Sequence, residues 1–168
     1  MKPIADLDIQ GIEIQTVITN KKVQYLNVES AFDIETTSCY VNDNQKFANM
    51  YSWMWGIKDN EHIYYGRTWD EVINLFDYLT ELYELSEHRR LVVYVHNLSY
   101  EFQFMRKYFE WENVFAVGDR KPIKALTVGG IEFRDSYILS GFSLAKTAEN
   151  LVNHTIEKLT GYAAGVGV

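Results

Sequence analysis

Apolar residues along the chain fall first into short alternating runs and later into helical spacings, with clusters of polar turn formers between them. Ile9 to Ile18 and Val23 to Glu35 read as two β-rich segments, and Thr19-Asn20-Lys21-Lys22 between them predicts a hairpin turn. Tyr51 to Ile57 and His62 to Tyr65 predict the next two strands, joined through Lys58-Asp59-Asn60-Glu61. The period then changes. Trp69, Val72, Ile73, Phe76, Leu79 and Tyr83 follow helical spacing, and Thr68 with Glu71 supplies a capping box at the start. Leu91 to Val95 is a continuous apolar run of strand length, the pattern of a central strand buried on both faces. A second helix is expected at once, with Asn97 as N-cap and Leu98, Phe102, Met105 and Phe109 as its apolar stripe. Further strands are expected at Ile123 to Val128 and Ile131 to Phe133 around a Gly129-Gly130 turn, and Ser143 to Val152 reads as a third helix.

That order predicts an α/β fold, a mixed central sheet flanked by helices. With 168 residues, 47% hydrophobic and 15% aromatic, the chain can bury a substantial core, and no repeat or linker divides it. The net charge of −7 argues against a broad basic surface for nucleic acid, although it leaves room for an acidic pocket neutralised by metal. Cys39 stands alone, so neither an internal disulfide nor a cysteine-rich zinc site is expected, which suits a reducing, cytoplasmic setting. Met1 to Asp8 lacks the apolar region of a signal peptide, and no apolar run is long enough to cross a bilayer.

Against this background one string stands out. In Asp33-Ile34-Glu35-Thr36-Thr37 two acids occupy positions where a strand favours β-branched or aromatic residues. Alternation puts Phe32 and Ile34 on one face and Asp33 and Glu35 on the other, with the acids' Cα atoms roughly 6–7 Å apart. Two carboxylates so placed can clamp Mg²⁺ or Mn²⁺, which prefer oxygen ligands. A solvated acidic edge is the plain alternative. A further carboxylate comes from Asn97-Leu98-Ser99-Tyr100-Glu101, at the strand end where α/β proteins usually place their sites. Here too a structural reading stands beside the chemical one: Asn97 caps, Tyr100 packs and Glu101 complements the helix dipole. His96 reads as structural. Trp53, Trp55, Tyr64 and Tyr65 could stack on bases, but their alternation favours core packing, and Arg120, Lys121 and Lys124 form either a phosphate guide or a solvated loop.

Taken together, these segments resemble the 3′–5′ exonuclease domain of family B DNA polymerases, in particular the protein-primed enzymes of phages and linear plasmids. Asp33-Ile34-Glu35-Thr36-Thr37 is similar to that family's first exonuclease motif, and His96-Asn97-Leu98-Ser99-Tyr100-Glu101 to its second. The family usually has Asp where this chain has Glu101. Asp135-Ser136-Tyr137-Ile138-Leu139 resembles its Ser/Thr-Leu segment for single-stranded DNA, with Tyr137 in place of Leu, and Lys158 falls where a lysine contacts the scissile phosphate.

The resemblance implies a ribonuclease H-like exonuclease fold, C-terminally truncated, over residues 1–160, with 161–168 as a short divergent tail. It implies proofreading hydrolysis at single-stranded DNA 3′ ends, with two Mg²⁺ or Mn²⁺ ions held by Asp33, Glu35 and Glu101. Lys158 joins those acids in the catalytic set, and Thr36, Asn97, Tyr100 and Ser136 are implied DNA contacts. The remainder of a polymerase or a terminal protein is the implied protein partner, in the host cytoplasm for a phage-encoded chain. One part is missing: the family's third motif, Tyr-x-x-x-Asp, supplies a fourth carboxylate, and no tyrosine here has Asp four residues later. A catalytically incomplete module that binds single-stranded DNA or a protein partner is therefore the competing expectation. A glycosidase using Glu35 and Glu101 is a third, which nothing else favours.

Overall fold

In the computed structural model, which describes residues 1–19, 22–39, 45–57, 60–118 and 121–150, the chain is a mixed α/β protein dominated by its sheet. It opens with β1 (Lys2–Pro3), a 3-10 turn (Ile4–Asp6), β2 (Thr16–Ile18), β3 (Gln24–Leu26), β4 (Glu29–Cys39), β5 (Gln45–Ile57) and β6 (Asn60–Gly66). Helix α1 (Trp69–Leu82) leads to β7 (Arg89–Val95), α2 (Leu98–Met105), β8 (Trp111–Ala116), β9 (Pro122–Thr127), β10 (Ile131–Asp135), α3 (Tyr137–Ser140) and α4 (Leu144–Glu149).

The sheet runs β1-β6-β5-β4-β7-β10-β9-β8. Strands β4, β5 and β6 form an antiparallel meander, β7 and β10 lie parallel to β4 and to each other, and β8 and β9 return antiparallel at the far edge. The predicted early hairpin forms, with β2 antiparallel to β3 and Thr19 N–H donating to Val23 O at 2.9 Å. Only the last residues of the expected Ile9 to Ile18 strand are extended in a ladder. Ile9 instead seals the core from a loop, 1% exposed.

Helix α1 begins as its sequence dictates. The Thr68 hydroxyl accepts from Glu71 N–H, and the Glu71 carboxylate accepts from Thr68 N–H at 2.9 Å, so two otherwise orphaned donors are satisfied. Its buried face, Val72, Leu75, Phe76 and Leu79, lies on the sheet. There Phe76 meets Phe32 and Phe133 at ring separations of 5.9 and 5.6 Å. Trp53, Trp55 and Tyr64 are buried in this core, while Tyr65 alternates to the other face and is half-buried.

Two expectations need correction. β7 is buried fully on one face only: Leu91, Val93 and Val95 are sealed, whereas Arg90, Val92 and Tyr94 are half-buried. The second helix stops at Met105, so Phe109 packs from the following turn against Phe76 and Trp111. The expected third helix starts where the sequence put it, as α4 capped by Ser143, which accepts from Lys146 N–H at 3.2 Å, but the short α3 before it, ended by Gly141 at φ 67°, was not expected. The expected continuation to Val152 falls partly outside the described residues, as do Arg120, Lys158 and the tail 161–168.

Candidate active site

The chemistry collects where β7 ends beside β4. Parallel pairing of Ala31 with Tyr94 fixes the register, and two residues further on each strand Asp33 comes level with His96, the first residue beyond β7. At Glu35 the β4–β5 ladder shifts: Glu35 pairs with Met50 but Thr36 pairs with Ala48, leaving Asn49 as the extra residue of a bulge. A bulge bends its strand and re-aims the side chains around it. Beyond it, Thr36 Oγ1 lies 2.9 Å from the Tyr100 hydroxyl, tying the acidic strand to the first turn of α2.

That tie brings Glu101 to the pair on β4. Glu101 is buried, 4% exposed, and its Oε2 has no hydrogen-bond partner. Burial pushes its pKa up from the ordinary 4.5 to about 8, and the charges of Asp33 and Glu35 push in the same direction. Asp33 keeps an exposed edge, yet burial of the rest of the group raises its carboxyl above the usual range, partly offset by the Ile34 backbone N–H and by His96. Three acids therefore share one field, and the innermost holds its proton near neutrality.

The donor type, though not yet the arrangement, suits a hard divalent cation. The donors are carboxylate oxygens, one of them buried and unpartnered, and their mutual repulsion is what a cation would cancel. The acids are gathered without being closed: among the described residues, no three acidic, histidine or cysteine side chains already surround a common ion position.

The remaining predicted residues are distributed around this end. Asn97 occupies the cap position of α2 in the left-handed region (φ 69°), which Asn tolerates better than most residues. Its side chain makes no cap bond; Oδ1 accepts from the Ser99 hydroxyl at 2.8 Å, and the residue stays exposed. Ser136 is half-buried, its Oγ 3.2 Å from His96 Nδ1.

Two residues were missed in the sequence. Asp135 performs the capping assigned to Asn97: its Oδ2 accepts from Leu98 N–H at 3.1 Å, and its Oδ1 accepts from Tyr137 and Ile138 N–H at 2.7 and 3.2 Å. One buried carboxylate thus starts both α2 and α3. His96, set aside as structural, does pack on Tyr137, but it also acts electrostatically on Asp33. Its place directly before Asn97 was the available signal. Compared with known proteins, the chain matches no family model, no curated protein and no solved structure.

Proposed function

We propose that this chain is the N-terminal part of a family B DNA polymerase, carrying a metal-dependent 3′–5′ proofreading exonuclease that acts on single-stranded DNA 3′ ends. The observation that carries this reading is the convergence of Asp33, Glu35 and Glu101 on one strand end, with Glu101 buried, unpartnered and kept protonated by its burial and, after that, by the charge of the other two. The finer fold, a ribonuclease H-like exonuclease sheet, is supported by the mixed order in which acid-bearing β4 lies parallel to β7 and antiparallel to β5.

In this reading Asp33, Glu35 and Glu101 hold Mg²⁺ or Mn²⁺, and when bound such cations supply Lewis-acid polarisation of the phosphodiester and charge compensation at the departing 3′-oxygen. The chain's own residues do the rest. Glu101 would serve as a ligand once its proton has passed to solvent, Tyr100 and Asn97 present an aromatic ring and an amide to the terminal nucleotides, and Thr36 fixes Tyr100. Ser136 holds His96 beside Asp33. Unpaired ends are preferred because the open strand end accepts unstacked nucleotides, and a mismatch lowers the cost of fraying. Lys158 is assigned to the scissile phosphate by resemblance, and the remainder of the polymerase or a terminal protein is the assigned partner in the host cytoplasm. Among the described residues, no helix is long and apolar enough to cross a membrane.

The competing reading, a catalytically incomplete module for single-stranded DNA or a protein partner, is favoured by the absence of the Tyr-x-x-x-Asp pattern from the sequence and by the unclosed arrangement of the acids. A 3′-labelled single strand incubated with Mg²⁺ or Mn²⁺ separates the two. Release of the terminal label by the intact chain, abolished in Asp33→Ala, is the expected result. Binding of the strand without release of label overturns the exonuclease and leaves the module.

A further inference from the structure

We propose that Lys46 is a substrate-binding residue that grips the phosphodiester backbone next to the carboxylate site, an inference that rests on the proposed nucleic-acid function. Past the bulge the β4–β5 hairpin continues with Ser38 paired to Lys46 and Thr36 to Ala48, so Thr36 and Lys46 follow one another along the same face. Both reach Tyr100. The Thr36 hydroxyl meets the phenol oxygen at 2.9 Å, and the Lys46 ammonium stands 5.4 Å over the ring centroid. Phe104 packs edge-on against the same ring at 5.3 Å. Tyr100 directly precedes Glu101 in α2, so it joins the acidic centre to a cation on the neighbouring strand.

Several cations near the sheet are already engaged by carboxylates, and Lys46 is not one of them. Arg90, Arg134 and Lys124 converge on the buried carboxylate of Glu132, and Lys146 pairs with Glu149. Lys46 is exposed and, among the described residues, has no carboxylate within salt-bridge distance. Its attraction to the ring of half-buried Tyr100 is modest beside that of a phosphate, which can draw the ammonium away and leave the ring to a base. In a chain of net charge −7, a cation at the edge of an acidic centre offsets repulsion of the incoming backbone where that repulsion is strongest.

The test is binding of a fluorescein-labelled oligothymidylate by anisotropy across a salt series, in Ca²⁺ to suppress cleavage, for the full chain, Lys46→Ala and Lys46→Arg. Lys46→Ala is expected to weaken binding several-fold and to lower the slope of log K against log salt by about 0.7, the value of one single-strand phosphate contact. Lys46→Arg is expected to retain both. An unchanged slope in Lys46→Ala overturns the assignment, because a lysine that merely props Tyr100 would change affinity or melting temperature without changing counterion release. If the wild-type chain binds and Lys46→Ala matches it, only this inference fails; if the wild-type chain binds no single strand, the proposed function fails with it.

Discussion

The carboxyl of Glu101 titrates in the company of Asp33 and Glu35, and this coupling has a consequence for stability. The unfolded chain releases the Glu101 proton near 4.5, whereas the folded chain keeps it to about 8. The contribution of this group to folding is therefore fully present below 4.5 and is lost as pH rises toward 8. The raised pKa of Asp33 acts in the same sense. In EDTA, the thermal midpoint of the wild-type chain is expected to fall across that interval, and Glu101→Gln, which removes the titration and keeps the shape, is expected to flatten the fall. A decline of equal steepness in both proteins would place the titrating group elsewhere. At this scale the sequence was informative about residue types and silent about partners. Alternation along a strand was enough to put Asp33 and Glu35 together, because that geometry is local. The burial of Glu101, the tyrosine that ties its helix to Thr36 and the ammonium of Lys46 over that ring depend on pairings across the sheet, and no local pattern encodes them.

Among the elements, α2 is the one that carries Glu101 to the acidic pair, and it is short. Its start is held by Asp135 at the end of β10, whose carboxylate collects three backbone N–H groups from two helices. Asp135→Ala is expected to lower stability by about 2–3 kcal/mol, since hydrogen bonds to a charged, buried acceptor exceed ordinary ones. Asp135→Asn should retain part of it, and denaturant midpoints measure both. A loss in Asp135→Ala no larger than that of a surface substitution would show that α2 is positioned by packing alone. Helix α1 could be read directly, because Thr68, Glu71 and the apolar stripe all lie within a few turns of chain. Strand β8 could not: it is an edge strand, exposed along most of its length, and Trp111-Glu112-Asn113-Val114-Phe115-Ala116 shows no alternation to announce it. The turn at Gly129-Gly130 was legible in place but not in length: β9 ends at Thr127, so Val128 joins the two glycines in it. Gly130 has φ 79°, and a Cβ there would stand 2.5 Å from the Ser86 backbone nitrogen.

At the scale of the whole molecule, the sheet order brings distant parts of the chain to one strand end: β4 contributes Asp33 and Glu35, β7 ends at His96, and α2 returns Glu101. The same topology leaves the face bearing Arg90, Val92 and Tyr94 half-covered by the described chain, where Glu132 is sealed by cations instead of apolar packing. Burial pushes the Glu132 carboxyl up, but hydrogen bonds from Arg90 and Arg134 and the charges of Arg134 and Lys124 outweigh it, so its pKa is lowered. Two buried glutamates in one small fold are thus held in opposite states, Glu132 charged among cations and Glu101 protonated among acids. The difference is the basis for expecting a divalent cation at the second and none at the first. Calorimetric titration of Mn²⁺ at neutral pH, repeated in buffers of different ionisation enthalpy to count protons, tests this most directly. Saturable binding with release of about one proton per chain, the proton being lost in Glu101→Gln and the binding in Asp33→Ala, is the predicted result. No saturable binding, or binding that releases no proton and survives Asp33→Ala unchanged, would contradict it.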